Sequence, residues 1–347
     1  MAGFTIDPDI RVARTLPGRV YSDPEIFRKQ RDRLFARTWH FAAHDGVVKE
    51  AGQVHPFTLF DEPLLLTRDA QGVHAMSNVC THRGTIVVEA PCRAQHLRCR
   101  YHGRRFALDG RFQSMPEFEQ VRDFPSPSDD LPRVALGSWQ RFLMVALKPA
   151  MTFDDLVAPM RDPLAHLPFD RLVFEGTRDY EVHANWALYI DNYLEGFHIP
   201  FVHAGLAAAI DYGSYTVELS RYAVLQIARA KPGETAFEGK DSIAAYYCWL
   251  FPTTMFNVYP WGISVNVVTP LAVDRTRVTF LAFVWDESKR EKGAGAGLDR
   301  VEREDEAVVE AVQRGVRSRL YDRGRYSPTR ETGVHHFHRL LAESMNA

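Results

Sequence analysis

Apolar residues in the stretch SDPEIFRKQRDRLFART (22–38) recur at helical spacing, with Ile26, Phe27, Leu34 and Phe35 on one stripe. Ser22 or Asp23 as N-cap and Pro24 in the first turn complete a helix start, so the pattern predicts a capped helix. From about residue 39 to 147 the pattern changes to short alternating or β-branched runs (QVHPFTLF, PLLLTR, GVHAMSNV, RFLMVAL) between Gly, Pro and Asp punctuation, which reads as a small all-β unit. A Pro- and Asp-bearing stretch over 148–168 marks a boundary near residue 150. Beyond it, long β-type runs (YAVLQIARA, AYYCWLFPTTMFNVY, ISVNVVTPLAV, RVTFLAFVW) lie between a helical segment at 186–197 and an amphipathic one at 299–321. That order predicts an α+β architecture, an antiparallel sheet packed on helices. The expected layout is an N-terminal helical segment over 1–38, a β domain over 39–150 and an α+β domain over 151–347, with no internal repeat.

Composition narrows the function. The 347 residues are 46% hydrophobic and 25% charged, an ordinary globular balance. The 42 basic and 44 acidic residues nearly cancel without a long run of either sign, which gives no electrostatic case for nucleic acid or anionic lipid. A small molecule or a protein partner is favoured. No stretch approaches the roughly 18 uninterrupted apolar residues of a membrane span, so the expected location is cytoplasmic. Four cysteines, Cys80, Cys92, Cys99 and Cys248, are too few for a disulfide-stapled domain, and two of them stand beside histidines.

Cys80-Thr-His82-Arg-Gly84 and Cys99-Arg-Tyr-His102-Gly103 are two short loops with sixteen residues between His82 and Cys99. Each supplies one thiolate and one imidazole, the four ligands of a Rieske centre, in which two cysteines hold one iron and two histidines the other. A structural zinc site uses the same ligand types, but zinc fingers group Cys with Cys and His with His; the interleaved order argues against zinc. Gly84 and Gly103, directly after their histidines or one residue on, fit tight loop turns.

A second constellation lies in residues 185–203. Asn192, Glu195 and His198 recur at three-residue spacing and share a helical face, whereas His198 and His203 would point about 140° apart on a continuous helix. Pro200 is expected to break the helix just after His198 and return His203 to the same point. Two imidazoles and one carboxylate make the facial triad of oxygen-activating ferrous sites. On the 299–321 segment the apolar stripe is read through Val301, Val308, Val309, Val312 and Val316. Asp305 falls at its centre, Glu304, Glu306 and Glu310 fall off it, and Glu302 is intermediate. A core-facing carboxylate is costly unless paired or bound to a metal, which selects Asp305.

The Cys-x-His and Cys-x-x-His pair resembles the Rieske family, and DNYLEGFHIPFVH is similar to the iron motif of Rieske non-haem iron oxygenase α subunits. Glu195 in place of the commoner Asp, and the downstream EDEAVVEAVQRGVRS, resemble the carnitine, choline and betaine monooxygenase branch. The likeness spans about residues 22–347. It implies a Rieske β domain followed by a helix-grip catalytic domain, a 2Fe-2S cluster on Cys80, His82, Cys99 and His102, and a mononuclear Fe(II) on His198, His203 and Asp305. It further implies that Glu195 is an electron-transfer bridge to His102 of a neighbouring subunit, with Asn192 in support of the iron site, in a head-to-tail homotrimer. No flavin or nicotinamide fingerprint is present, so electrons are expected from a separate NAD(P)H-dependent reductase, with or without a ferredoxin. The expected reaction uses O2 to hydroxylate or N-demethylate a small betaine-like substrate; the alternatives are ring hydroxylation of a cyclic compound and, in a different class, a Rieske electron carrier. One position departs from the family pattern: Arg104 stands where oxygenase members commonly have Trp.

Other signals weigh less. Gly293-Ala-Gly295-Ala-Gly297 reads as a loop, because no parallel-strand unit precedes it. His335, His336 and His338 lack a consistent face, and Cys248 reads as a small buried hydrophobe. Of the aromatic group Tyr246, Tyr247, Trp249, Phe251, Phe256, Tyr259 and Trp261, at least half are expected in the core and the remainder around a pocket, as a cation–π cage or an apolar slot.

Overall fold

The computed structural model describes residues 4–239 and 242–346. The chain divides into two compact units, Arg37–Ala150 and a second made of Met1–Ala36 with Met151–Ala347.

The first unit is all-β and antiparallel. A four-stranded sheet runs Val73–Ser77, Glu62–Arg68, Gln53–Leu59, Cys92–Arg93 in spatial order; a three-stranded sheet joins His40–His44, Phe142–Ala146 and Ala135–Trp139; a small one joins Leu97–Arg98, Arg105–Phe106 and Phe112–Ser114. The inner strands are buried on both faces, without interruption over Leu64–Leu66 and Phe142–Ala146. The resulting core of Val54, Leu65, Met76, Val87, Leu97, Phe106 and Leu131 also contains Cys80 and Cys99, so both thiols sit at the apolar base of their loops.

The second unit is a seven-stranded antiparallel sheet with helices. Its spatial order is Val173–Val182, Arg275–Val284, Gly262–Ala272, Thr254–Tyr259, Ile243–Leu250, Ala223–Arg229 and Thr216–Ser220. The helices are α1 (Pro24–Arg33), α2 (Phe153–Leu164), α3 (Trp186–Tyr193), α4 (Ile199–Val202), α5 (Ala204–Ala209), α6 (Leu298–Gly315) and α7 (Thr332–Asn346). Within the sheet Gln226 faces Tyr247, Tyr247 faces Asn257, and Asn257 faces Ser264. In-register partners share a face, so these side chains form one polar and aromatic row across four strands.

Two expectations are corrected. The helix α1 begins as predicted, with the Asp23 carboxylate accepting from the Glu25 amide at 2.8 Å, but the N-terminal residues are not a separate segment. Gln30 of α1 is fully buried and its Oε1 accepts from the indole Nε1 of Trp186 at 2.9 Å, and Phe35 meets the Trp186 ring edge-on at 5.2 Å. Burying an indole requires a partner for its N–H, and α1 supplies it to the second unit.

The stripe on α6 is also rotated from the one read along the valines. Val312 is 42% exposed, while Glu302 and Gln313 are buried with Val309 and Val316. The cause is hydrogen bonding. Gln313 Oε1 accepts from the Asn185 amide at 2.8 Å and its Nε2 donates to the Tyr21 carbonyl at 3.2 Å, which satisfies backbone groups just ahead of α3 and of α1 that burial would otherwise leave unpaired.

Candidate metal centres

The two Cys/His loops close identically. The Gly84 amide donates to the Cys80 carbonyl and the Cys80 amide to the Thr85 carbonyl, at 2.9 and 2.8 Å; the Gly103 amide donates to the Cys99 carbonyl and the Cys99 amide to the Arg104 carbonyl, at 3.1 and 2.8 Å. Both glycines have positive φ, 73° and 78°, where a side chain is strained. His82 and His102 are 4.7 Å apart, edge to face. Burial, with the Cys99 thiol beside it, pushes the Cys80 thiol up, so binding of a metal cluster would have to displace its proton.

These residues fit a 2Fe-2S cluster. Nδ1 of His82 is a buried ring nitrogen without a hydrogen-bond partner, and such an atom needs a ligand. Among the described residues the one group of three or more His, Cys, Asp or Glu side chains whose ligand atoms converge within 4.8 Å is His198, His203 and Asp305.

The second centre is assembled differently from the sequence expectation. The helix ends at Tyr193, before Glu195, and Pro200 does not break a helix but sits in the first turn of α4, where its missing N–H costs nothing. His198 is the residue before α4 and His203 the residue after it. One helical turn thus brings both rings to one side.

Nε2 of His198 and Nε2 of His203 are 3.2 Å apart, and Oδ1 of Asp305 lies 3.0 Å from the latter and 3.5 Å from the former. Adjacent ligands about 2.1 Å from an ion subtend about 3.0 Å at right angles, so the three atoms fit one face of an octahedral ion. Asn192 Nδ2 donates to the same Asp305 oxygen at 2.7 Å.

Each histidine is oriented from behind. Nδ1 of His198 is 2.7 Å from Glu195 Oε1, and Nδ1 of His203 is 2.7 Å from Glu304 Oε2. A carboxylate on Nδ1 fixes the tautomer that leaves Nε2 as the ligand atom. Glu195 Oε2 also accepts from the amides of Phe197 and His198. Burial disfavours a charged His203, but hydrogen bonds to Asp305 and Glu304 outweigh it, and its pKa lies above the ordinary histidine value.

Glu304 was set aside in the sequence because it lies off the valine stripe; with α6 rotated, it reaches His203 from the side. Glu302 points elsewhere. Its Oε2 accepts from the Tyr189 hydroxyl at 2.6 Å, and burial pushes its carboxyl up to about 8.

The triad forms part of the wall of a cavity whose sheet side carries Gln226, Tyr247, Asn257 and Tyr259, with Tyr193 and Tyr215 facing them. Tyr193 is fixed at both ends: its hydroxyl donates to Asn257 Oδ1 at 2.6 Å and its carbonyl accepts from Gln226 Nε2 at 2.8 Å. Of the aromatic group singled out in the sequence, Tyr247 and Tyr259 line this cavity; Trp249 instead packs against Phe251 and Phe337. His338 is not part of a metal cluster: its ring bonds Asp191 at 2.7 Å and the Tyr326 hydroxyl at 2.6 Å. No described helix is long and apolar enough to cross a membrane.

Residues 169–347 match the ring hydroxylating alpha subunit (catalytic domain) family, and residues 38–125 match the Rieske 2Fe-2S domain. The chain belongs to the ring-hydroxylating, Rieske-type oxygenase α subunits, and is an oxidoreductase of the type that includes choline and carnitine monooxygenases. In this family the Rieske domain binds a 2Fe-2S cluster and the catalytic domain a mononuclear iron. It is 30% identical to the carnitine monooxygenase oxygenase subunit of Escherichia coli (strain K12), covering 95% of this chain and 94% of that one. It is 29% identical to the chloroplastic choline monooxygenase of Arabidopsis thaliana, over 98% of this chain and 85% of the relative. The fold matches that of the quaternary ammonium Rieske monooxygenase CntA, solved with an inhibitor, at a TM-score of 0.84 and 23% identity over 99% and 100% of the two chains. It also matches naphthalene 1,2-dioxygenase from Rhodococcus sp., at 0.78 and 18% over 95% and 94%.

Proposed function

We propose that this chain is the oxygenase component of a multicomponent system that hydroxylates or oxidatively N-demethylates a small quaternary ammonium compound. The observation that carries this reading is the convergence of His198, His203 and Asp305 at the wall of a tyrosine-lined cavity. The cluster, on Cys80, His82, Cys99 and His102, would supply single electrons, and the ferrous ion, on the triad, would activate O2 beside the substrate.

The protein's own groups do the positioning. Glu195 and Glu304 hold the histidine rings, and Asn192 holds the Asp305 oxygen. The tyrosine faces suit a trimethylammonium group through cation–π attraction, and no Lys or Arg lines the cavity among the described residues, which disfavours an anionic substrate.

Glu195 is also the proposed electron bridge. Oε1 has a second lone-pair direction beyond its bond to His198, which an imidazole of another copy, His102, would occupy. That role requires an oligomer, and a head-to-tail homotrimer closes such an interface. Electrons would come from a separate reductase.

The test is iron and acid-labile sulfide per chain on anaerobically purified protein, with O2 uptake measured for choline, carnitine and a simple aromatic in the presence of a reductase. About three irons and two sulfides, with uptake driven by a quaternary ammonium compound, is the expected result. Uptake with the aromatic alone would give ring hydroxylation instead. Two irons that added ferrous ion does not raise, with no uptake, would leave an electron carrier.

A further inference from the structure

Arg104 is 2% exposed, and a cation so enclosed is rare unless paired. Its Nη2 donates to Oδ1 and to the carbonyl oxygen of Asp129, at 2.6 and 3.1 Å. The guanidinium carbon lies 4.8, 5.6 and 5.7 Å from the ring centres of Phe112, Phe124 and Phe106. Nε has no partner. Nothing in the cluster's ligation needs this charge, and burying it costs free energy.

Its connections lead to both ligand loops. The Arg104 carbonyl accepts the Cys99 amide. The Asp129 carbonyl that Arg104 grips also accepts from the hydroxyl of Thr81 at 2.8 Å, and Thr81 lies between Cys80 and His82. Arg104 is thus one residue bonded directly to one loop and through a single oxygen to the other.

The pair is not electrically balanced at the cluster. The Asp129 side chain is 19% exposed against 2% for Arg104. Its Oδ2 is further engaged by the amide and hydroxyl of Ser126, at 2.8 and 3.0 Å. Water screens the anion more than the cation, so the residual field is positive.

We propose that Arg104 raises the reduction potential of the cluster through its buried positive charge. The inference rests on the reading that Cys80, His82, Cys99 and His102 hold that cluster. Uptake of one electron from the reductase makes the cluster one charge more negative, and an adjacent buried cation favours that state.

The experiment is a spectroelectrochemical titration of the intact oxygenase with dithionite as reductant, with the reduced cluster's paramagnetic resonance spectrum recorded for each variant. Arg104→Gln is expected to lower the reduced-to-oxidised ratio at fixed potential at least tenfold, about 59 mV for one electron. Asp129→Asn is expected to move it the opposite way, and Arg104→Lys, which keeps the charge without the fork, to stay near the parent. If Arg104→Gln fails to assemble a cluster, the Lys and Asn variants still carry the test. Shifts of one sign in Arg104→Gln and Asp129→Asn, equal shifts for Lys and Gln, or no shift would overturn the proposal and leave Arg104 a strut. An iron and sulfide content without a Rieske signal would instead overturn the cluster assignment itself.

Discussion

Nε2 of His203 lies 3.0 Å from Oδ1 of Asp305, although 102 residues separate them in the chain. The intervening sheet strands lead out and back, so α6 returns against α3 and delivers one carboxylate to two histidines. Asp305→Ala is expected to lose the mononuclear iron and all turnover while the visible spectrum of the cluster is unchanged. Iron retained in that variant but lost in Glu302→Ala would move the ligand assignment one turn along the helix.

Glu304 bonds Nδ1 of His203, and removal of such a partner typically weakens metal binding by about 10- to 100-fold. Glu304→Ala should show that loss in a competitive iron titration, with an unchanged fold by circular dichroism. An unaltered affinity would mean that the tautomer is set without it.

Glu302 makes a separate prediction, for stability. Its carboxyl, pushed up to about 8 by burial, keeps a proton in the folded state that the unfolded chain releases near the ordinary value of about 4.3. Between those values the unfolded state holds fewer protons, so stability falls as pH rises, by about 1.4 kcal/mol per unit from this group. Above pH 8 the loss levels off. Glu302→Gln removes the slope, and its advantage over the parent in thermal unfolding midpoint should widen from pH 5 to pH 8; a constant gap would show that the group ionises alike in both states.

Tyr247 and Tyr259 stand nearly perpendicular, their ring centres 6.0 Å apart. If they receive a trimethylammonium group, Tyr259→Leu should weaken binding of choline by roughly 5- to 30-fold, the range of about 1 to 2 kcal/mol for a desolvated cation–π contact. Binding of the neutral tert-butyl analogue should change less. Equal losses for the two ligands would make the rings an apolar wall only.

Trp186 is fully buried among Phe35, Phe337 and Gln30. Trp186→Ala is expected to cost about 3 to 5 kcal/mol, measured by denaturant unfolding of the catalytic unit. The sequence shows why this seam was hard to read: α1 announces its own caps and stripe, but nothing local says that Gln30 will meet an indole 156 residues on. The same limit applies at α6. Cluster loops and the paired histidines are written in short, self-contained spacings, whereas Glu304, Glu302 and Gln313 acquire their surroundings from α3 and from the backbone ahead of it. An apolar count rotated the helix toward Val312 because hydrogen bonds to Asn185 and Tyr21, which have no signature in hydropathy, decide its phase.

The carboxylates behind and beside the two histidines have a consequence for metal supply. Asp305 brings a carboxylate to the point where the two Nε2 atoms converge, and Glu195 and Glu304 add two more behind the rings, more negative charge than a single dication neutralises. Such a point draws any divalent ion strongly, and by the general order of affinities copper, nickel and zinc compete well against ferrous iron for imidazole and carboxylate. The right-angled three-donor face suits an octahedral ion rather than tetrahedral zinc, so geometry works together with metal availability against it. A preparation loaded in zinc-rich buffer would be inert, because zinc in that position has no redox chemistry to offer.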